Sequence, residues 1–286
     1  GAELLILREG EIYLHEAFGW KDRESATPME INSVYSLASL TKPVTALAVL
    51  IAAEEGALSL DDPVVRHIPS FRGDSRARVR DLLAQRSGDG GEHGEGGYNV
   101  YAFPTLEDWV LDWAPTEASA PYGAFEYSNF NYAALGYIVE RVTHVPFGEF
   151  VTRRILEPLG MTESYVAFSP DSSWAGRVPT SYVWNPESGR YEVFWRPDKP
   201  QRWAFFPAAF GLWGTAHDYA KFVAMWFELG RSGESRLVSE KMVRTALSPQ
   251  SFRDGEAVYG YGWYGGLRAG RMVLTGADRA TDGARR

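Results

Sequence analysis

The chain has 286 residues, 45% hydrophobic and 14% aromatic, enough for one large folded unit or two intimate ones around a substantial core. A formal charge of -8 and a pI near 5.3 leave no basic excess to displace counterions, which excludes general binding to nucleic acid or an anionic membrane. The absence of cysteine excludes disulfides, zinc–thiolate sites and thiol nucleophiles.

The longest largely apolar run, Pro43 to Ala53, falls short of the roughly 20 residues a membrane-spanning helix needs. No basic and apolar leader opens the chain, so a soluble protein is expected, in the cytoplasm, the periplasm or outside the cell. The opening Gly1, in place of Met, is the start expected of a processed form or a fragment.

In chain order, residues 3–8 and 11–18 are apolar-rich runs about Gly10 and predict a β-hairpin. Residues 44–55, rich in Ala and Leu and closed by Gly56, predict one buried helix. A turn with a short helix opened by Pro63 follows, then a short helix over 76–84. Residues 87–98 carry six glycines and predict a surface loop.

Helical periodicity returns at 105–114, 130–143 and 146–156. Residues 182–213, with ten aromatics and four prolines, predict short hairpins or an extended aromatic wall rather than helices. Helices are expected again near 216–229 and 239–247, and "YGYGWYGG" followed by "RMVLTG" predicts two strands meeting at a turn. The order β, then α, then β implies an α+β fold. An antiparallel sheet from both chain ends, flanked by helices, would enclose a mainly helical insertion. The expected division is 1–75 and 206–286 as the sheet subdomain and 76–205 as the helical one, with the site between them.

The chemistry starts at "SLASLTKPV". A serine is a poor nucleophile until a base takes its proton and donors hold the charge that develops on the substrate. Lys42 lies three residues after Ser39, so on a helix the two share a face with Cβ atoms about 5–6 Å apart. Burial beside the apolar helix favours the neutral amine that a base requires. Pro43 is tolerated only in an opening turn, which places Ser39 near a helix N-terminus with its outward N–H groups. Alone, the pattern also fits a capping serine and a solvated first-turn lysine.

Tyr127-Ser128-Asn129 stands just ahead of an amphipathic helix. A phenol beside an ammonium loses its proton more easily and can serve as a base or relay, and a neighbouring carboxamide can bind the lysine and a substrate amide. A turn in which Asn129 caps the helix and Tyr127 packs in the core is the competing reading.

Together, Ser39-Leu40-Thr41-Lys42 and Tyr127-Ser128-Asn129, in this order with a helical region between, resemble the serine β-lactamase and penicillin-binding superfamily. The likeness is to its class C-like branch, which includes family VIII carboxylesterases and D-amino-acid peptidases. "ILEPLGMTESY" and "FGLWGTAHDYAKFV" look like the same branch.

The resemblance implies a β-lactamase/transpeptidase-like fold. It makes Ser39 the acyl-accepting nucleophile, Lys42 its base or proton partner, Tyr127 the second base and leaving-group acid, and Asn129 the residue that orients Lys42 and substrate. The Ser39 N–H would form half of the oxyanion hole. The other half, from a strand bearing a Lys-Thr-Gly or His-x-Gly motif in the family, has its counterpart in Leu274-Thr275-Gly276 with the N–H of Ala277. Trp213, in "GLWGT", is expected near the pocket.

Leu274 brings no positive charge, which disfavours substrates recognised through a carboxylate more than neutral esters. By the same resemblance, the family's final strands and terminal helices are expected to be missing from this chain. The expected activity is hydrolysis of small esters, amides or peptides through an acyl-enzyme; a catalytically silent binding protein is the alternative.

No G-x-S-x-G, P-loop, H-E-x-x-H or Rossmann glycine pattern occurs. The histidines, His15, His67, His93, His144 and His217, lack ligand-like spacing, so neither a metal nor another cofactor is expected. Asp61 and Asp62, before Pro63, read as a turn and cap. The sequence leaves the oligomeric state open.

Overall fold

The computed structural model describes residues 1–71, 73–88, 105–112, 120–199, 207–253, 255–268 and 271–275. Strands β1 (Ala2–Arg8) and β2 (Glu11–Phe18) form the expected antiparallel hairpin, with Glu9 and Gly10 at φ +55° and +86° in the two-residue turn. A small ladder of β3 (Trp20–Asp22) and β4 (Thr27–Pro28) follows, then β5 (Tyr35–Ser36) and a single 3₁₀ turn at Ala38–Leu40.

That turn runs into helix α1 (Thr41–Glu54), which starts three residues earlier than its apolar run. Every residue of α1 from Thr41 to Ala52 is buried, and each enclosed Val, Leu or Ile contributes about 1.5–3 kcal/mol of transfer free energy. Pro43 sits in the first turn, where its missing N–H leaves no hydrogen bond unmade. Gly56, at φ +77°, carries the chain out of the helix.

Short helices α2 (Val64–His67) and α3 (Val79–Leu83) come next. The expected 76–84 helix is shorter because Arg78 stays extended and its N–H donates to the Asp81 carboxylate (3.0 Å). Most of the glycine-rich stretch, 89–98, lies outside the described residues. Helices α4 (Leu106–Asp112), α5 (Asn129–Thr143) and α6 (Phe147–Val151) follow, the last continuing into a π turn over Thr152–Leu156.

Strand β6 (Ser164–Tyr165) precedes one hairpin, β7 (Ser181–Asn185) with β8 (Arg190–Trp195). A helical turn, α7 (Pro207–Phe210), stands where extended chain is expected, just ahead of β9 (Trp213–Gly214). Helix α8 (Ala216–Phe227), the small ladder of β10 (Arg231–Ser232) and β11 (Ser235–Arg236), and helix α9 (Glu240–Leu247) lead to four strands. These are β12 (Ser251–Arg253), β13 (Glu256–Tyr259), β14 (Tyr264–Arg268) and β15 (Arg271–Thr275).

The architecture is mixed α and β with antiparallel ladders. The strands expected from the two chain ends form two separate ladders, β1–β2 and the meander β12-β13-β14-β15. Another ladder, β5-β9-β6, joins the approach to Ser39 to two distant segments through Ser36↔Trp213 and Tyr165↔Trp213.

Helices α1 and α5 pack together, and α7 nests against both. Gly136 makes that possible: a Cβ there would stand 2.4 Å from the Ala208 Cβ of α7. Gly136→Ala is therefore expected to destabilise the fold by about 1–3 kcal/mol, because overpacking at this distance exceeds the helix-propensity gain of about 1 kcal/mol. Denaturant unfolding measures it, and an unchanged or raised midpoint would mean that α7 is not seated against α5.

Candidate active site

The chain is stitched tightly around Ser39. The Leu37 N–H donates to Leu212 O (2.9 Å), the Leu212 N–H donates to Thr41 Oγ1 (3.1 Å), and Tyr219 OH donates to Leu40 O (3.1 Å). Ala38 holds φ +45°, a conformation that costs a non-glycine residue about 1–3 kcal/mol and persists only where its surroundings enforce it. The strain sits on the residue directly before the hydroxyl.

Lys42 is only 1% exposed. Its Nζ donates to Ser39 Oγ (3.0 Å), Asn129 Oδ1 (2.9 Å) and Ala209 O (3.0 Å) and lies 4.8 Å from the centroid of the Tyr127 ring. Two of these oxygens can only accept. The third, Ser39 Oγ, can accept or donate, so the amine directs either a hydrogen or its lone pair at the serine according to its protonation state. Tyr127 OH donates to the same Ser39 Oγ (2.9 Å). The structure thus brings Ser39, Lys42, Tyr127 and Asn129 into one hydrogen-bonded cluster, from segments 87 and 88 residues apart.

Tyr264 of β14 stacks on Tyr127 with ring centroids 5.8 Å apart and planes 18° from parallel, while Tyr259 meets Tyr127 edge-on at 6.4 Å. Burial pushes the Tyr132 and Tyr259 phenols above the ordinary tyrosine value, so both stay protonated near neutrality. Strand register pairs Thr275, the end of β15, with Tyr264, which sets the backbone of that strand end beside the cluster. Gly276 and Ala277 lie outside the described residues.

Trp213 does not face the cluster. Its ring is 1% exposed, in a second core with Trp174, Trp195 and Phe168, the last at 4.9 Å. Its backbone pairs with Ser36, three residues before Ser39. The ring packs inside this second core, and it is the backbone of Trp213 that lies beside the Ser39 segment. Of the other aromatics in the stretch, Trp195 is core and Trp184, Tyr191 and Phe194 are exposed, while Trp203, Phe205 and Phe206 lie outside the described residues.

Sequence reasoning missed three contributors. The carbonyls of Ala208 and Ala209, within α7, accept from Thr45 Oγ1 (2.6 Å) and Lys42 Nζ (3.0 Å), but a proline- and aromatic-rich stretch carries no helical signal. Tyr264 reads as an ordinary strand aromatic. The third is Gln85, fully buried beside the tyrosine triplet, whose partners lie more than forty residues away.

Asp62 serves the turn, accepting from the Ser59 N–H (2.9 Å) and lying 3.0 Å from His67 Nε2. Among the described residues no group of three His, Cys, Asp or Glu side chains could hold a metal ion, and no helix is long and apolar enough to cross a membrane.

An α and β fold with antiparallel ladders, bringing a serine and a buried lysine at the start of α1 against a tyrosine ahead of α5, defines the serine-hydrolase-type class of β-lactamases and penicillin-binding proteins. The chain belongs to the Beta-lactamase family, whose model matches residues 1–280.

It is 35% identical over 189 residues to "Esterase EstB" of Burkholderia gladioli, covering 60% of this chain and 48% of that protein. It is 26% identical over 275 residues to "Penicillin-binding protein 4*" of Bacillus subtilis, covering 91% of this chain and 58% of the relative. Among solved structures, the octameric penicillin-binding protein homologue from Pyrococcus abyssi superposes with a TM-score of 0.81 at 28% identity, over 95% of this chain and 62% of that one. The chain thus spans about half the length of these curated relatives.

Proposed function

We propose that this chain is a serine hydrolase that acylates Ser39 with a small ester or amide and releases the acyl group to water. Its substrates would fall within the range of carboxylesterases, β-lactamases and D-amino-acid peptidases. The observation that carries the reading is Ser39 Oγ within hydrogen-bonding distance of both Lys42 Nζ and Tyr127 OH. Proximity of this order supports a large share of an acyl-transfer rate, because nucleophile and proton acceptor need not find one another.

In the proposed step the Ser39 hydroxyl proton passes to Lys42 or Tyr127 as Oγ bonds to the acyl carbon. The Ser39 N–H supports the resulting oxyanion, and collapse expels the leaving group, which takes a proton from Tyr127. Water, deprotonated by the same groups, then releases the acid and restores Ser39. Asn129 holds Lys42 through its Oδ1. Ser39 and Lys42 come from residues 1–75 and Tyr127 and Asn129 from residues 76–205, which supports a site between the two proposed subdomains.

Kinship with an esterase and a penicillin-binding protein supports the chemical class. The neutral Leu274 favours neutral esters over substrates that need a carboxylate anchor.

Intact-mass spectrometry after incubation with a fluorophosphonate tests the proposal. One adduct is expected, mapping to the peptide that contains Ser39. No adduct on folded protein, or an adduct elsewhere, would overturn it and favour a silent binding protein. A panel of p-nitrophenyl esters, a chromogenic cephalosporin and a D-alanyl peptide then ranks the substrates, with the esters expected first.

A further inference from the structure

Gln85 leaves the end of helix α3 with φ +56°, the left-handed region that a residue with a side chain occupies at a cost. Its side chain is completely buried. What holds it there is the segment 120–128, which runs alongside 85–88. The Ala120 N–H donates to Gly88 O (3.1 Å), the Gly123 N–H to Arg86 O (3.0 Å) and the Glu126 N–H to Gln85 O (2.8 Å).

At Gln85 this backbone pairing has to stop, because the chain turns down into α3. The side-chain amide takes over. Oε1 accepts from the Ser128 N–H (3.1 Å) and Nε2 donates to Ser128 O (3.0 Å), the donor and acceptor pair that one more strand residue would have offered. Oε1 also accepts from Asn131 Nδ2 (2.7 Å), whose own Oδ1 accepts from Ser87 Oγ (2.8 Å). The amide orientation is set by chemistry, since a backbone N–H must meet the oxygen and a carbonyl the nitrogen.

Ser128 is the middle residue of the triplet that carries Tyr127 and Asn129. With both of its backbone groups clamped, the peptide planes on either side are fixed. The phenol and the carboxamide can then reach Ser39 Oγ and Lys42 Nζ together. We infer that Gln85 is a positioning residue for acyl transfer, acting through the backbone of Ser128 to hold Tyr127 and Asn129 in register with Ser39 and Lys42. The inference rests on the serine-hydrolase reading of this site.

The experiment compares wild type, Gln85→Leu and Gln85→Glu by fluorophosphonate labelling rate and by steady-state hydrolysis of a p-nitrophenyl ester. Gln85→Leu removes all three side-chain bonds. Gln85→Glu keeps the length and both acceptor contacts and, held neutral by burial, presents a hydroxyl to Ser128 O in place of the amide N–H, so it stands beside a leucine variant that fails to fold.

A misplacement of about 1 Å of a reacting group lowers a rate by about 10²-fold. The expected result is therefore a fall in kcat of about that size in Gln85→Leu with KM little changed, and a smaller fall in Gln85→Glu. In a Tyr127→Phe background the same Gln85 substitutions should cost clearly less than in wild type, because the group they position has lost its hydroxyl.

A folded Gln85→Leu, or a Gln85→Glu where leucine does not fold, that labels and turns over at the wild-type rate would overturn the inference. So would an undiminished loss in the Tyr127→Phe background. Absence of labelling in wild type would instead reject the serine-hydrolase reading. In that event hydrogen exchange at the Ser128 amide, slow in wild type and faster in Gln85→Leu, still decides whether the clamp exists; equal exchange would remove it.

Discussion

Replacing Lys42 with methionine is expected to slow acylation of Ser39 by about 10²- to 10⁴-fold, the loss typical of a missing general base, in a protein that still folds. Methionine matches the length of the lysine stem and keeps its packing inside α1, so the substitution isolates the amine. It leaves Asn129 Oδ1 and Ala209 O without that donor, at about 1–3 kcal/mol for each acceptor left buried and unpaired, and it relieves the cost of enclosing an ammonium. These terms oppose one another, so stability should change far less than rate.

Lys42→Arg separates the amine's two possible services. The guanidinium keeps the positive charge but has no neutral form at accessible pH, so it can support a tyrosinate and cannot itself take the Ser39 proton. If Lys42 is the base, the arginine variant should be as slow as the methionine one in stopped-flow acylation by a p-nitrophenyl ester. A near-wild-type rate would leave Lys42 an electrostatic part and make Tyr127 the base.

How far these residues could be read from sequence depends on how local their signals are. Ser39 and Lys42 are three residues apart on a helix start marked by Pro43, so spacing let them share a face, although by itself it fitted a capping serine and a solvated lysine as well. The hairpin at Gly10 and the buried run of α1 were legible for the same reason: period and turn chemistry act within a few residues.

Convergence of Tyr127 on Ser39 spans 88 residues, and only the resemblance of both motifs to one superfamily brought it into view. Gln85 had neither aid. A glutamine at the end of a short helix reads as a solvated side chain, and nothing nearby in sequence states that 126 to 131 will lie against it. The helical turn at Pro207 was hidden by the composition around it, and its value to the site lies in two backbone carbonyls, which no side-chain pattern encodes. Trp213 shows the opposite failure. The resemblance sets its segment near the pocket, and ring packing against Phe168, Trp174 and Trp195 takes the side chain into a second core while the backbone pairs with Ser36.

Tyr127→Phe removes one oxygen and little else, which makes it the sharper probe of proton transfer. The ring keeps its stack on Tyr264 and its place beside the Lys42 amine, so the cluster should retain its shape. Acylation is expected to fall by about 10²- to 10⁴-fold, and a near-normal rate would mean that Lys42 works alone.

Because the base must be unprotonated, the wild-type rate should rise with pH through neutrality; a flat profile would contradict the assignment. Burial keeps Tyr132 and Tyr259 protonated across this range, so neither can replace the lost phenol as a base. The size of the loss should also depend on the leaving group. A p-nitrophenolate departs as an anion, whereas an alkoxide or an amine must be protonated as it leaves. Tyr127→Phe should therefore cost an alkyl ester or amide more than a p-nitrophenyl ester of the same acid. Equal losses would confine the phenol to the activation of Ser39 and assign protonation of the leaving group to Lys42.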